Sequence, residues 1–307
     1  MKKDRIIGPL YCVTAALIWG LSFVAQKSGA YIGTLTFNGI RLLLGGLVML
    51  PVVVARYLKS GKSISPEKIE KKSNAKTAEG IIVCGLVLFA GSNLQQHAFA
   101  CGLGAGKVAF ITALYMIIVP ICGLFTGRRP GLNVWIGVVL GMVGLYFICI
   151  KKGPFGMGKG EIFALLCAFM FALHILVIDK YCVLVDNLTL ACGQYLVAGI
   201  VSFVLMFIFE GKPDPQALKN CIPVIVYAGV GSCAFAFTLQ IFGQKKTEPA
   251  VASLLLCLES VFAVIFGWII LHDNLGARVL TGCGIMFAGV IISQIDFRAV
   301  SRKASET

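Results

Sequence analysis

Charge is scarce in this chain. Asp, Glu, Lys and Arg make up 13% of 307 residues, where soluble domains carry about a quarter. With 58% hydrophobic residues and a mean hydropathy of +0.90, a water-soluble globule is excluded. Acids and histidines are scarcer still, 14 and 3, and no dense cluster of them offers a metal or hydrolytic centre. The patterns H-E-x-x-H, G-x-S-x-G and G-x-x-x-x-G-K-[ST] are all absent, so an enzyme built on those motifs is not expected. Transport driven by ATP would need another subunit, and no cofactor is expected. The 12 cysteines contain no C-x-x-C, which argues against a zinc or disulfide framework. They read as small polarisable fillers between helices.

What the chain has is long apolar runs. Ten of them have about the length that a bilayer core requires of a helix. The first five are Ile6–Gln26, Thr34–Val54, Gly80–Ala100, Val108–Gly127 and Leu132–Ile150. The second five are Ile162–Ile178, Leu188–Phe209, Cys221–Gly243, Pro249–Leu271 and Val279–Ile295. None alternates in the manner of a barrel strand, and each is far longer than such a strand needs. The first run follows a basic start but is longer than the apolar part of a signal peptide, and more spans follow it. The expected class is an all-α polytopic membrane protein with ten transmembrane helices.

The formal charge of +13 invites a nucleic-acid reading, and its distribution argues against one. With the N-terminus placed in the cytoplasm, the loops on that side and both tails hold 18 Lys and Arg, against 8 on the other side. The stretch "RYLKSGKSISPEKIEKKSNAK" alone holds seven. This is the positive-inside bias that sets orientation during insertion. Both termini are expected in the cytoplasm of a cell expected to be bacterial, with the chain multi-pass in its inner membrane. The lipid bilayer and a small-molecule solute are the expected partners.

The ten runs divide five and five around "KKGPFGMGKGE". Thr36 and Arg41 in the second run stand in the same relation as Thr189 and Gln194 in the seventh. Gly137 and Gly144 are spaced as Gly282 and Gly289 are. An odd number of spans per half has a geometric consequence: if the halves share a fold, one is upside down relative to the other. Inverted repeats are how many secondary transporters obtain two nearly equivalent states.

Four stretches carry a resemblance to a known family. "AALIWGLSFVAQK", "FNGIRLLLGG", "KVAFITALYMIIVP" and "LESVFAVIFGWIIL" resemble the EamA family of the drug/metabolite transporter superfamily. The resemblance implies two inverted five-helix EamA repeats, the first over residues 1–150 and the second over 161–296. A connector at 151–160 lies between them, and a cytoplasmic tail at 297–307 follows. It implies alternating access, a solute cavity between the halves, and export of amino acids or other metabolites. The family often has an acid after the fourth and ninth helices. This chain reads "GRRP" and "HDNL" there.

Ionisable groups inside the runs are few. Glu259 is eleventh of 23 in its run, roughly 15 Å from either end at about 1.5 Å per residue. A carboxyl group there must be paired, hydrated or protonated, and can serve as coupling site, cavity wall or structural glue. Arg41 is eighth in its run, roughly 10 Å from the outer end. Two readings stay open for it: a clamp on a substrate carboxylate or a gate, and a helix-end anchor that snorkels or ties the bundle. His174 is either a neutral imidazole satisfied by a neighbouring helix or a proton-coupling group; His97 is the remaining ionisable residue. Ser92, Gln95 and Gln96 share one helical face, as interhelical glue or cavity lining. Trp19, Ser22 and Gln26 share a face of the first helix, as cavity wall or packing. Gln194 and Tyr195, at the position equivalent to Arg41, are further candidates for substrate binding. The glycine stripes permit close helix packing, a homodimer contact being the alternative.

The expectation is a secondary active transporter, exporting small metabolites by alternating access with proton coupling. A lipid flippase of the same fold and a polytopic enzyme acting on lipid-linked substrates are the rivals.

Overall fold

The computed structural model describes residues 2–60, 70–149, 157–271 and 276–295. Most of the 151–160 connector, the "HDNL" stretch and the 297–307 tail lie outside the described residues. Within them the elements are helical throughout. The first three spans are α1 (Lys2–Ser28), α2 (Thr34–Ser60) and α3 (Glu70–Ala100). The fourth comes in two pieces, α4 (Ala105–Thr112) and α5 (Tyr115–Phe125), and the fifth is α6 (Leu132–Cys149). The sixth and seventh are α7 (Lys159–Tyr181) and α8 (Asn187–Phe209). The eighth runs α9 (Pro215–Val226), a π-helical stretch (Tyr227–Phe237) and α10 (Thr238–Gln244). The ninth is again in two pieces, α11 (Pro249–Leu256) and α12 (Glu259–Leu271), and α13 (Ala277–Gln294) is the tenth.

Where a helix begins in a loop, a carboxylate often supplies the missing acceptors. Asp186 accepts from the Thr189 amide and hydroxyl at the start of α8. Asp214 accepts from the Gln216 and Ala217 amides of α9, whose first residue is Pro215. The start of α2 is capped from another helix: Glu210, just past the end of α8, accepts from the Leu35 and Thr36 amides at 2.8 Å. These bonds satisfy N–H groups that no helical turn can reach.

The halves are inverted copies, and their contacts show it. The second and seventh spans pack against each other head to tail. Gly39 meets Phe203, Gly46 meets Leu196, and Arg56 at the end of α2 pairs with Asp186 before α8. The fifth and tenth spans do the same. A Cβ built on Gly137 would lie 2.8 Å from the Gly289 carbonyl oxygen, and one on Gly144 would lie 2.6 Å from that of Gly282. Exchanging the halves turns one of these crossings into the other. The third span packs on the sixth as the eighth packs on the first, and the first on the ninth as the sixth on the fourth. Each relation has its counterpart when the two halves are exchanged. The glycine stripes therefore serve close packing within the chain, since only glycine lets the backbones approach so near.

Candidate functional site

The fourth and ninth spans both break near their middles, at equivalent places. α4 stops at Thr112, Ala113 and Leu114 form a turn, and Tyr115 starts α5. α11 stops at Leu256, Cys257 and Leu258 form a turn, and Glu259 starts α12. Each residue of the first break has its counterpart 144 positions on in the second. The breaks face each other. The Cys257 thiol points at the Ala113 carbonyl oxygen at 3.7 Å, and the Tyr115 hydroxyl donates to Glu259 Oε1 at 3.5 Å. The expected continuous runs at 108–127 and 249–271 are thus corrected to pairs of half-helices. Glu259 does not sit on an unbroken helix wall but is the first residue of a half-helix.

Beside the breaks lies a cavity lined by residues of both halves. The first span gives it Trp19, Ser22, Phe23 and Gln26; the second and third give Arg41 and Gln95. Thr112, Tyr115, Leu256 and Glu259 line it from the two breaks. Phe171 and Ile175 come from α7, and Ser232, Phe237 and Gln240 from the eighth span. The π-helical stretch ends at Phe237 and contains Ser232. Such a wide turn re-aims side chains and exposes carbonyls, as π insertions do at many functional sites. Trp19 Nε1 donates to the Ser232 carbonyl at 3.4 Å, and its ring meets Phe237 edge-on.

Arg41 reaches this cavity without snorkelling to an interface. It is 2% exposed, and its Nε donates to Asn38 Oδ1 at 2.7 Å, one helical turn back. Asn38 in turn donates to the Ser92 carbonyl and Asn93 Oδ1, and Asn93 donates to Ser202 Oγ on α8. The guanidinium is held by the neutral amide of Asn38 inside the bundle, a geometry compatible with a bundle tie and with a clamp on a substrate carboxylate.

The other expected residues divide. Trp19, Ser22, Gln95, Arg41 and Glu259 come together around the cavity. His174 and Gln194 bond to each other at 3.0 Å, and Tyr195 bonds to Thr238. None of these three is among the lining residues. His174 stands behind the cavity, edge-on to the lining rings of Phe171 and Phe237. Gln96 donates to the Gln26 carbonyl on α1. Gln244 on the eighth span donates in the same manner to the Ile175 carbonyl on α7. The third helix of each half is thereby tied to the first helix of that half. Ser92, Gln95 and Gln96 do not act as one face: Gln95 lines the cavity and Gln96 is interhelical glue. His97 contacts Thr34 and stacks on Phe163.

Sequence reasoning missed Tyr115, Thr112, Gln240 and the aromatic pair Phe171 and Phe237. Tyr115 had a signal. It occupies the place in the first repeat that Glu259 occupies in the second, and aligning "ALYM" on "CLES" brings the two into register.

The comparison with known families decides the identification. The EamA-like transporter family matches twice, over residues 6–150 and 158–294. The chain belongs to this family. This EamA-like transporter is similar to the uncharacterized transporter YoaV of Bacillus subtilis, 23% identical over 93% of this chain and 96% of that protein. An uncharacterized transporter of Archaeoglobus fulgidus is 26% identical over 94% of this chain and 86% of its own length. Protein PecM of Dickeya dadantii is 24% identical over 66% of this chain and 68% of its own. A solved crystal structure shares the fold with a TM-score of 0.75 at 17% identity, covering 93% of this chain and 96% of that one. Membrane transport is thus the general activity to which the EamA-like chain belongs.

Proposed function

We propose that the chain is a secondary active transporter that exports small metabolites, such as amino acids, across the cytoplasmic membrane by alternating access. Both termini lie in the cytoplasm in this reading, and the two repeats span residues 1–150 and 161–296. The observation that carries it is the cavity lined from both inverted halves and from both helix breaks. Broken helices at a repeat interface are where secondary transporters place solute and coupling ion. Glu259 is the coupling group: it is a carboxyl group in the cavity wall, bonded to Tyr115 and in no ion pair among the described residues.

Counterflow in proteoliposomes tests the reading. Vesicles holding the purified chain are loaded with unlabelled solute, and labelled solute is added outside. The expected result is a transient accumulation above equilibrium for at least one metabolite of a broad panel of amino acids and organic acids. No accumulation with any of them, from protein shown to be folded and inserted, would reject small-metabolite transport.

A further inference from the structure

Arg41 is a buried cation whose protein partners are all neutral. Its Nε is taken by Asn38, and the next bonds outward run through amides and a hydroxyl, Asn93 and Ser202. Among the described residues it makes no ion pair, and no acceptor engages its two terminal nitrogens. Phe37 lies under the guanidinium carbon at 5.5 Å, so ring and amide together fix the plane of the group. A guanidinium so fixed presents a flat, two-pronged donor edge, and it sits in the cavity wall. Burying a charge without a counter-charge is costly, and the arrangement that offsets the cost is a planar oxyanion bound by both prongs.

The rest of the wall agrees with an organic solute. Trp19, Phe23, Phe171 and Phe237 supply apolar and aromatic surface. Among the described residues the side-chain oxygens of Ser22, Gln26 and Gln240 are buried without a hydrogen-bond partner, in residues 1%, 4% and 2% exposed. Polar atoms this buried are normally satisfied, and here they border a space that a solute can fill.

We infer that the solute carries a carboxylate or similar planar oxyanion that forks onto the terminal nitrogens of Arg41, with an apolar body against the aromatic wall. This rests on the transport reading for its setting, since it takes the same cavity as the solute site. The acceptor oxygens leave room for a donor on the solute, so an organic anion and a zwitterion share the chemistry.

Three probes on the purified full chain test it by calorimetry: phenylacetate, phenylalanine and phenethylamine. Phenylacetate or phenylalanine binds and phenethylamine does not; phenylalanine binding alone identifies a zwitterion, and phenylacetate binding alone a simple anion. Arg41→Gln weakens the bound probe on the order of tenfold to a hundredfold, the worth of a charge-assisted bond, and Arg41→Lys recovers part of that loss. Gln26→Glu is the variant that keeps the fold, since the Gln26 side-chain oxygen has no hydrogen-bond partner among the described residues and the two side chains are of one size. Its added negative charge lowers phenylacetate or phenylalanine affinity and admits phenethylamine. A structural Arg41 predicts no such exchange of preference by sign of charge. Phenethylamine binding to the native chain, no binding of either carboxylate, or carboxylate affinity unmoved by both Arg41→Gln and Gln26→Glu overturns the inference. Counterflow separates the two ideas: solutes that move without an oxyanion overturn the site chemistry and leave transport standing. Carboxylates that bind but never move leave the site standing and count against transport.

Discussion

Tyr115 and Glu259 hold the same place in the two halves of one chain, and they hydrogen-bond to each other at 3.5 Å. Each is the first residue of a half-helix that follows a two-residue break. A phenol on one side and a carboxylic acid on the other make this the point where the repeats touch and differ most in chemistry.

The consequence for coupling is direct. Glu259→Gln keeps size and hydrogen-bonding capacity, so the variant inserts and folds. Gradient-driven transport falls by roughly a hundredfold, the low end of what a positioned proton-transfer group contributes, while solute exchange survives because it needs no net proton movement. Measuring both on one purified sample separates coupling from structure. Gradient-driven transport equal to the native chain would reject the coupling role.

The glycine crossings predict paired stability losses. A Cβ on Gly144 would sit 2.6 Å from the Gly282 carbonyl oxygen, and one on Gly282 would sit 2.7 Å from that of Gly144. Both neighbours are backbone and cannot rotate away. Gly144→Ala and Gly282→Ala should each cost about 1–3 kcal/mol, the usual range for overpacking. The two costs should match, because the residues meet each other. Thermal unfolding in detergent measures this, and an unchanged midpoint for either variant contradicts the crossing.

Glu210 supplies a cap from outside the helix it serves. Its carboxylate accepts from Leu35 N, Thr36 N and Thr36 Oγ1. Glu210→Ala should cost about 1–2 kcal/mol, the range for a lost cap. Thr36→Val removes only the hydroxyl bond and should cost less. A Glu210→Ala melt that matches the native chain would show the cap to be dispensable.

Orientation follows from charge and is tested by labelling. Single cysteines replacing Lys71 and Gly156 in a cysteine-free background should react from opposite sides of the membrane. Lys71 belongs to the basic loop expected inside and Gly156 to the connector expected outside. Equal reaction of both with an impermeant thiol reagent on intact cells would refute the assignment.

Much of the fold was legible in the chain because a bilayer imposes a length and a composition on each span. The repeat was legible too, through Thr36 with Arg41 and Thr189 with Gln194, and through the glycine spacings. The helix breaks were not. "ITALYM" and "LLCLES" contain neither proline nor glycine, while Pro51 and Pro120 lie inside helices that continue past them. The breaks arise where two spans meet, from contacts such as Cys257 with Ala113, and no single segment states them. The partner of Arg41 was not legible for a related reason. Counting residues gave its depth, and Asn38, three positions back in "FNGIR", redirected it inward by a hydrogen bond that depth does not encode. His174 was read either as satisfied by a neighbouring helix or as a proton-coupling group, and only the packing reveals its bond to Gln194 and its contacts with the lining rings of Phe171 and Phe237.

Where two inverted halves exchange shapes to open first one way and then the other, the crossing of Gly137 with Gly289 becomes the crossing of Gly144 with Gly282. Such a swap leaves the packing energy there unchanged. Any resting preference for one orientation must then be written in positions where the halves disagree, among them Arg41 against Gln194, Tyr115 against Glu259, and the eighth span's π-helical stretch against the regular α3. In the alternating-access reading such mismatches set the balance point of the molecule, and substitutions that make the halves more alike should level it.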